Sequence, residues 1–265
     1  MRAALVALLV GCAGADATPL SPAAPASHPA LELGFHPGEN MTYEVQLAGV
    51  LVGEAQLAVG EIGMVDGKRA VVVKSRAATA GAAALLRKMV DESTTVIDVA
   101  TGRPMQIDTL VVNGDKQTVA NAKFTGQTAE VVYQFSGRPA QTLKLDFKTE
   151  TVLDMHTAMA ALRGWRATPG TQKTVFIIGG RRLWRIDLKY IGEETIGSKV
   201  GNRRSVVLEG TSFRARRNLQ VESTKATRTF RVWLSDDADR VPLKVSAKTE
   251  LGDIVMDLLE YNRPQ

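Results

Sequence analysis

The chain has 265 residues, of which 45% are hydrophobic, 23% charged and 5% aromatic, and its formal net charge is +5. This length is enough for one large domain or two small ones with a hydrophobic core. The single cysteine excludes an intramolecular disulfide bond and a zinc site of several thiolates, and no apolar run of about 18 residues follows the first dozen.

The first eleven residues have the layout of a secretory signal peptide, because one arginine precedes the short apolar stretch Ala3–Val10. The stretch ends in Leu9-Val10-Gly11-Cys12, which resembles the lipobox of bacterial lipoproteins, where the chain is cut before a cysteine that is then lipidated. We predict a signal peptide at 1–11 and lipidation of Cys12. Two alternatives stay open: cleavage after Ala13-Gly14-Ala15 by an ordinary signal peptidase, and a Cys12 that is a small apolar residue of an N-terminal helix.

Residues 12–30 are predicted to be a lipid-anchored linker. The segment is rich in alanine and carries four prolines, a composition that favours extended polyproline II structure over a core. At about 3.1 Å per residue it could extend roughly 50 Å from the anchor. By resemblance to sorting signals in diderm bacteria, Ala13 in the position after Cys12 favours the periplasmic face of the outer membrane.

Residues 31–265 are predicted to form a single β-rich domain. Apolar and polar residues alternate along short segments, and turn signals such as Asp66-Gly67 and Asn113-Gly114 separate them. About a dozen such strands without alternating helices indicate an antiparallel all-β domain rather than a βαβ fold. The predicted strands are Met41–Val50, Leu51–Ile62, Arg69–Ala77, Ser93–Val99, Met105–Val112, Gln117–Phe124, Glu130–Phe135, Gln141–Phe147, Lys173–Ile178, Leu183–Tyr190, Ser205–Phe213, Thr227–Leu234, Leu243–Thr249 and Ile254–Leu259.

Two segments break the alternation. Gly81–Val90 predicts a short helix, and Thr151–Trp165 predicts the main helix, with Thr151 and Asp154 in a capping arrangement. The second segment is apolar around most of its circumference, which is typical of a buried helix. The predicted fold is therefore all-β with one central helix: a strongly curved antiparallel sheet or open β-barrel wrapped on helix 151–163.

No catalytic motif with a recognisable spacing is present, and no histidine spacing indicates a metal site. Asp154, His156 and Arg163 form the most notable polar set. His156 and Arg163 share a helix face, whereas Asp154 would lie about 200° away from His156, so we expect no helical acid–base pair. The set could bind an anionic headgroup inside the barrel. Alternatively, Asp154 caps the helix while His156 and Arg163 bond to strand carbonyls.

The positive charge lies in one segment, Lys173–Arg231, which holds 14 Lys/Arg and 5 Asp/Glu. Such a segment could attract an anionic envelope ligand, although solvated strand faces are the favoured explanation. Arginines surround Trp184 and precede Trp233, but no nucleic-acid module accompanies them, so nucleic acid is not an expected partner. The ligand-binding candidates are His156, Arg163, Trp184, Arg185, Arg214, Arg216 and Arg231.

Several motifs resemble an uncharacterised bacterial envelope family, the domain of unknown function 3108. They are Phe35-His-Pro-Gly-Glu39 with Tyr43, Gly53-Glu-Ala55, Asp98 to Pro104, Asp154 with Ala161-Leu-Arg163, Gly192-Glu-Glu194, Val232-Trp-Leu-Ser-Asp-Asp237, Arg240-Val-Pro-Leu243 and Gly252. The resemblance covers roughly residues 33–260. It implies a periplasmic or lipid-anchored β-rich domain and supplies no catalytic residues.

The predicted function is that of a non-enzymatic cell-envelope lipoprotein. By analogy with periplasmic lipoprotein carriers, the curved sheet would shelter the acyl chains of an amphipathic molecule while arginines bind its anionic head. No cofactor is expected, and the membrane is a partner through the N-terminal lipid. Two alternatives remain: a ligand-free module in outer-membrane or cell-surface assembly, and an enzyme acting on envelope polymers through carboxylates such as Asp236 and Asp237. Adjacent strand carboxylates point to opposite faces, which disfavours the enzyme.

Overall fold

The computed structural model describes residues 34–148 and 150–264. The predicted signal peptide, Cys12 and the linker lie outside the described residues. Within them the chain forms fifteen strands and two helices. The helices are α1 (Gly81–Leu86) and α2 (Met155–Gly164). The strands are β1 (Asn40–Leu47), β2 (Val50–Val65), β3 (Lys68–Thr79), β4 (Met89–Asp98), β5 (Pro104–Asn113), β6 (Lys116–Thr125), β7 (Thr128–Phe135), β8 (Gln141–Asp146), β9 (Val152–Leu153), β10 (Gln172–Gly179), β11 (Arg182–Ser198), β12 (Gly201–Ala215), β13 (Arg228–Ser235), β14 (Pro242–Thr249) and β15 (Gly252–Asn262).

All strands belong to one curved sheet that does not close. Strands adjacent in sequence pair as antiparallel neighbours, with two exceptions: β8 and β9 do not pair with each other, and short β9 pairs parallel to β10. The first strand pairs with the last, from Asn40 opposite Asn262 to Leu47 opposite Ile254, so the two open edges are β8 and β9. The predicted fold class, an all-β curved sheet around a helix, is confirmed.

The sheet is rolled so that its β9 edge packs against strands β5–β8 near the other edge. Neighbouring residues of a strand point to opposite faces, yet both Ile177 and Ile178 of β10 are buried. Ile177 packs with α2 and strands β11–β14, whereas Ile178 packs with β5–β8. Val152 and Leu153 of β9 divide between the same two clusters. Strands β9 and β10 are therefore covered on both faces.

The main helix begins later than predicted. Asp154 is its N-cap: the carboxylate accepts the Thr157 N–H at 3.0 Å, and the Thr157 hydroxyl accepts the Asp154 N–H at 2.9 Å. This reciprocal capping box replaces the arrangement expected from Thr151. Val152 and Leu153 pair with Phe176 and Ile177 instead of forming a helical turn.

The first helix is also shorter than predicted and ends at Leu86, because Met89 and Val90 pair with β5 as the start of β4.

Helix α2 fills one half of the rolled sheet. Ala160 is fully buried against Val71, Val73 and Ile97 of β3 and β4. On the other side, Ala158 and Leu162 pack with the strands from β10 to β14. Two further core clusters consist of strand side chains: one lies between β5–β8 and the strands β9–β12, and the other lies beside α2 among β1–β3, β14 and β15. Helix and strand side chains of the described residues thus form four core clusters within the rolled sheet.

A buried ion pair fixes the C-terminal end of α2. Arg163 and Glu39 are both fully buried, and Arg163 Nη2 donates to Glu39 Oε2 at 3.0 Å. The same guanidinium donates from Nε to the Asp239 carbonyl oxygen at 3.0 Å and lies 5.2 Å from the centre of the Phe35 ring. The Tyr261 hydroxyl donates to Glu39 Oε2 at 3.0 Å. The helix is therefore attached to β15, to the β13–β14 turn and to the segment before β1.

Removing one partner of a buried ion pair leaves the other charge without compensation, at a cost of roughly 3–5 kcal/mol. Glu39→Gln is expected to lower the free energy of unfolding by an amount of this order, measured by urea denaturation at pH 7. The control is Lys144→Ala, which removes an exposed partner of Glu130 and should leave the midpoint unchanged. Equal midpoints for the two variants would contradict the role assigned to the pair.

Candidate functional site

The predicted ligand-binding residues divide into three groups. His156 and Arg163 are buried on α2 and fully engaged with protein groups. Arg185 and Arg231 are partly exposed on strands, and each pairs with a carboxylate: Arg185 with Asp187 at 2.9 Å and Arg231 with Glu209 at 2.9 Å. The third group, Trp184, Arg214 and Arg216, lies where β11 begins and β12 ends. In this third group Arg214 and Arg216 line a cavity, and Trp184 stacks on Arg214 beside it.

The cavity, here called the arginine cleft, has a volume of about 270 Å³. It lies where β7 and β8 face the β11–β12 end of the rolled sheet. Its apolar lining consists of Leu143, Leu145, Leu183 and Ala215, all buried. Its charged lining consists of Arg181, Arg214, Arg216, Arg217 and Glu222. The cleft therefore combines an apolar surface with four positive charges and one negative charge.

Aromatic rings position two of these arginines. The Arg181 guanidinium lies 5.3 Å from the ring centres of both Tyr133 and Phe135. Arg214, which is opposite Trp184 in the β11–β12 register, lies 5.1 Å from the Trp184 ring centre. Such stacking holds a guanidinium by its face and leaves its edge free to donate hydrogen bonds.

The positive charges at the cleft are poorly compensated. Burial lowers the pKa of Arg214, the charge of Arg182 lowers it further, and Glu222, at 4.0 Å, partly opposes the shift. Burial and the charge of Arg181 likewise lower the pKa of Arg182. Burial and neighbouring positive charge thus both disfavour the protonated form of these two arginines, and a bound anion would favour it.

Sequence reasoning selected Arg214 and Arg216 but did not select Arg181, Arg217, Tyr133 or Glu222. Arg181 follows the Gly179-Gly180 turn, and the Leu183–Ala215 pairing brings that turn next to the end of β12. The hairpin register could have indicated this juxtaposition. The contribution of β7 could not be foreseen, because it depends on how the sheet rolls.

A second polar site lies inside the sheet and corrects the expectation that Asp154 and His156 do not pair. Because Asp154 precedes the helix as its N-cap, helical spacing does not apply, and its Oδ2 lies 3.6 Å from His156 Nδ1. The Thr95 hydroxyl bonds to both groups, and Ser75 Oγ lies 2.6 Å from His156 Nε2.

This serine–histidine–acid order resembles a nucleophilic triad, but the setting differs. All four side chains are buried. Neither the arginine cleft nor the second cavity, described below, is lined by any of them. Burial lowers the pKa of His156, with the nearby Asp154 opposing that shift, so the imidazole is held neutral. The four groups satisfy one another's hydrogen bonds and join α2 to β3 and β4.

The carboxylates considered for an enzyme do not converge. Asp236 pairs with Arg204 at 2.8 Å. Asp237 accepts hydrogen bonds from the Ser235 hydroxyl and from two backbone N–H groups of the turn after β13. These contacts agree with the predicted hairpin end. Among the described residues no cluster of three or more metal-ligating side chains occurs, and neither helix has the length and apolarity to cross a bilayer.

A second, apolar cavity lies near α1 and is lined by residues of β1–β5 and β15. Val45, Ala77, Val90 and Ile254 are among its buried lining residues. Asp91 also lines it, and burial raises the pKa of Asp91 to about 8. This carboxyl group is therefore largely protonated at neutral pH.

The fold places this chain among β-barrel-like proteins built on one curved sheet. A β-barrel-like protein of the domain of unknown function DUF1849 from Brucella abortus matches it with a TM-score of 0.58 and 10% identity, covering 85% of this chain and 97% of that one. Weaker matches are an exported-protein structure with a YmcC-like fold from Bacteroides fragilis (TM-score 0.40, 8% identity, 86% and 97% covered) and the hypothetical lipoprotein YmcC from Escherichia coli (0.33, 9%, 89% and 91%). No curated protein matches the chain.

The family to which the chain belongs within this class of folds is identified by its sequence. The model of the protein family of unknown function DUF3108 matches residues 42–259. The chain belongs to the DUF3108 family, as its turn and strand motifs indicated.

Asp91 makes the stability of the protein depend on pH. In an unfolded chain an aspartate releases its proton near pH 4, whereas native Asp91 retains it up to about pH 8. Stability therefore falls as pH rises between these values. Asp91→Asn is expected to be more stable than the parent at pH 8, with the difference vanishing near pH 4, in urea denaturation midpoints measured across this range. The exposed-turn variant Asp115→Asn serves as control, and a pH-independent effect of Asp91→Asn would contradict the assignment.

Proposed function

We propose that this protein is a cell-envelope lipoprotein that binds an anionic amphipathic molecule in the arginine cleft. The observation that carries the proposal is the pairing of an apolar lining with four arginines and one glutamate in a single cavity. Guanidinium groups donate in a fork that matches the oxygens of phosphate and carboxylate groups. The neighbouring leucines would cover the apolar part of the same molecule.

The filled interior limits where the ligand binds. The apolar concavity expected from the sequence would have held whole acyl chains. In the structure α2 and strand side chains occupy that space. A cavity of about 270 Å³ is close to the lower end of ordinary ligand sites, which begin near 300 Å³. We therefore confine the proposal to an anionic head and the first carbons attached to it.

We further propose that the protein binds its ligand without transforming it. The nearest arrangement to a catalytic one, Ser75 with His156 and Asp154, is buried away from the arginine cleft. The cleft itself is lined by arginines and one glutamate and has no paired general acid and base.

The proposed location rests on the N-terminal sequence. The lipobox-like Leu9-Val10-Gly11-Cys12 supports anchoring through Cys12, and Ala13 supports the outer membrane. An anchored protein would meet anionic amphiphiles at high local concentration, which fits a small site of modest affinity.

Binding can be tested with dodecyl phosphate, an anionic single-chain amphiphile, and with neutral dodecyl maltoside. Isothermal titration calorimetry below the micellar concentration is expected to show binding of dodecyl phosphate only. Arg214→Gln should weaken binding about tenfold, because it removes one charge-assisted hydrogen bond. The matched control is Arg231→Gln, an arginine paired with Glu209 away from the cleft. Equal losses in both variants, or equal binding of the maltoside, would refute the proposal.

Lipidation is tested by mass. The protein isolated from membranes is expected to begin at Cys12 and to carry fatty acyl mass on that residue, and Cys12→Ser should lose this mass. Intact-protein mass spectrometry gives both answers. A native chain that begins after Ala15, or that carries no acyl group, would instead favour ordinary signal cleavage.

A further inference from the structure

The five most exposed large apolar side chains of the described residues gather at one end of the rolled sheet. They are Leu85 (90% exposed), Leu86 (89%), Val50 (64%), Leu251 (61%) and Leu51 (57%). In an antiparallel meander alternate turns lie at the same end, so the β1–β2 turn, α1 and the β14–β15 turn are neighbours. The Ala48 N–H donates to the Asp253 carbonyl oxygen at 2.8 Å, and the Ala80 N–H donates to the Val52 carbonyl oxygen at 3.0 Å. These bonds join the three segments into one surface, here called the α1 end.

Helix α1 has no role in the core. None of its residues is buried, and no side chain caps its N-terminus. Its sequence, Gly-Ala-Ala-Ala-Leu-Leu, nevertheless places two leucines next to each other in solvent. Apolar side chains grouped this way usually mark a contact surface rather than chance exposure.

The same end is positively charged. Its inter-strand segments hold seven Lys/Arg and three Asp/Glu, whereas those at the opposite end hold four and five. Arg87 and Lys88 follow the two leucines directly, and Arg181, Arg216 and Arg217 of the arginine cleft belong to the same end. Exposed apolar side chains on neighbouring turns, with Arg87 and Lys88 beside the two leucines of α1, suit contact with a surface that has an anionic outer layer over an apolar interior.

We propose that the α1 end docks onto an anionic lipid bilayer, with Leu85 and Leu86 entering the interface and the basic residues contacting lipid headgroups. Apolar insertion combined with basic attraction is how peripheral proteins bind membranes. Each Lys or Arg near an anionic surface adds to the attraction, and salt screens that contribution. This proposal does not rest on ligand binding in the cleft, although docking would turn the cleft toward the headgroups.

The test uses the full mature chain with Cys12→Ser, so that no N-terminal lipid contributes. Co-sedimentation is measured with vesicles of phosphatidylcholine containing 30% phosphatidylglycerol and with vesicles of phosphatidylcholine only. We expect binding to the anionic vesicles that weakens at high salt. Leu86→Glu should reduce binding at least fivefold. The matched control is Met64→Glu, a 54% exposed methionine at the opposite end, which should bind like the parent.

Binding of dodecyl phosphate by Leu86→Glu should be unchanged, which separates this proposal from the cleft. Loss of phosphatidylglycerol binding in both glutamate variants, or in neither, would overturn the docking surface, as would equal binding to neutral vesicles. A parent chain that ignores vesicles but forms dimers, dispersed by Leu86→Glu in sedimentation velocity, would replace the bilayer with a second copy of the chain.

Discussion

The position of α2 depends on one desolvated ion pair. Arg163 sits at the end of a mostly apolar helix, where its charge is tolerable only because Glu39, the Asp239 carbonyl and the Phe35 ring surround it. Glu39 in turn accepts from Tyr261 of the last strand. The helix therefore cannot shift along the sheet without exposing a charge to the core. Since α2 packs against one face of β10, the pair also helps to hold β10 in its place.

The rolling of the sheet creates the cleft. Because β9 and β10 lie inside the opposite half, the β10–β11 turn comes next to β5 and β6, where Gly180 approaches Thr109 and Ala120. That overlap leaves a space near Tyr133 that neither half fills. Four core clusters occupy much of the interior, and the arginine cleft lies at this junction between the two halves. The same end of the molecule carries the exposed leucines of α1, so charge and apolar exposure coincide there.

Periodicity predicted most strands and the central helix, because alternation reports burial directly. The alternation of apolar and polar residues was a poor guide where the two faces of a strand are not one buried and one exposed. Strand β11 continues past Tyr190 through Gly192 to Ser198, paired with β12 but without buried residues in that part, so no clear apolar alternation marks it. The run Val175 to Ile178 lies in the predicted strand Lys173–Ile178, but it is apolar throughout because both its faces are covered, and the second covered face was not predicted from the sequence. The basic side of the arginine cleft could be predicted, because its arginines lie in one basic segment of the sequence. The side formed by β7 and β8 could not, because it depends on how the sheet rolls in three dimensions.

Pairing of β1 with β15 has a consequence for biosynthesis. During synthesis β1 can pair with β2 early, but its other edge stays unpaired until β15, which begins at Gly252, has been made. Until then the growing meander presents an unpaired edge, which is the usual route to misassembly between chains. The contact that joins first and last strands is also the most distant in sequence, and such contacts form slowly. A chaperone that shields this edge would therefore matter more for the protein's yield than for the stability of its finished fold.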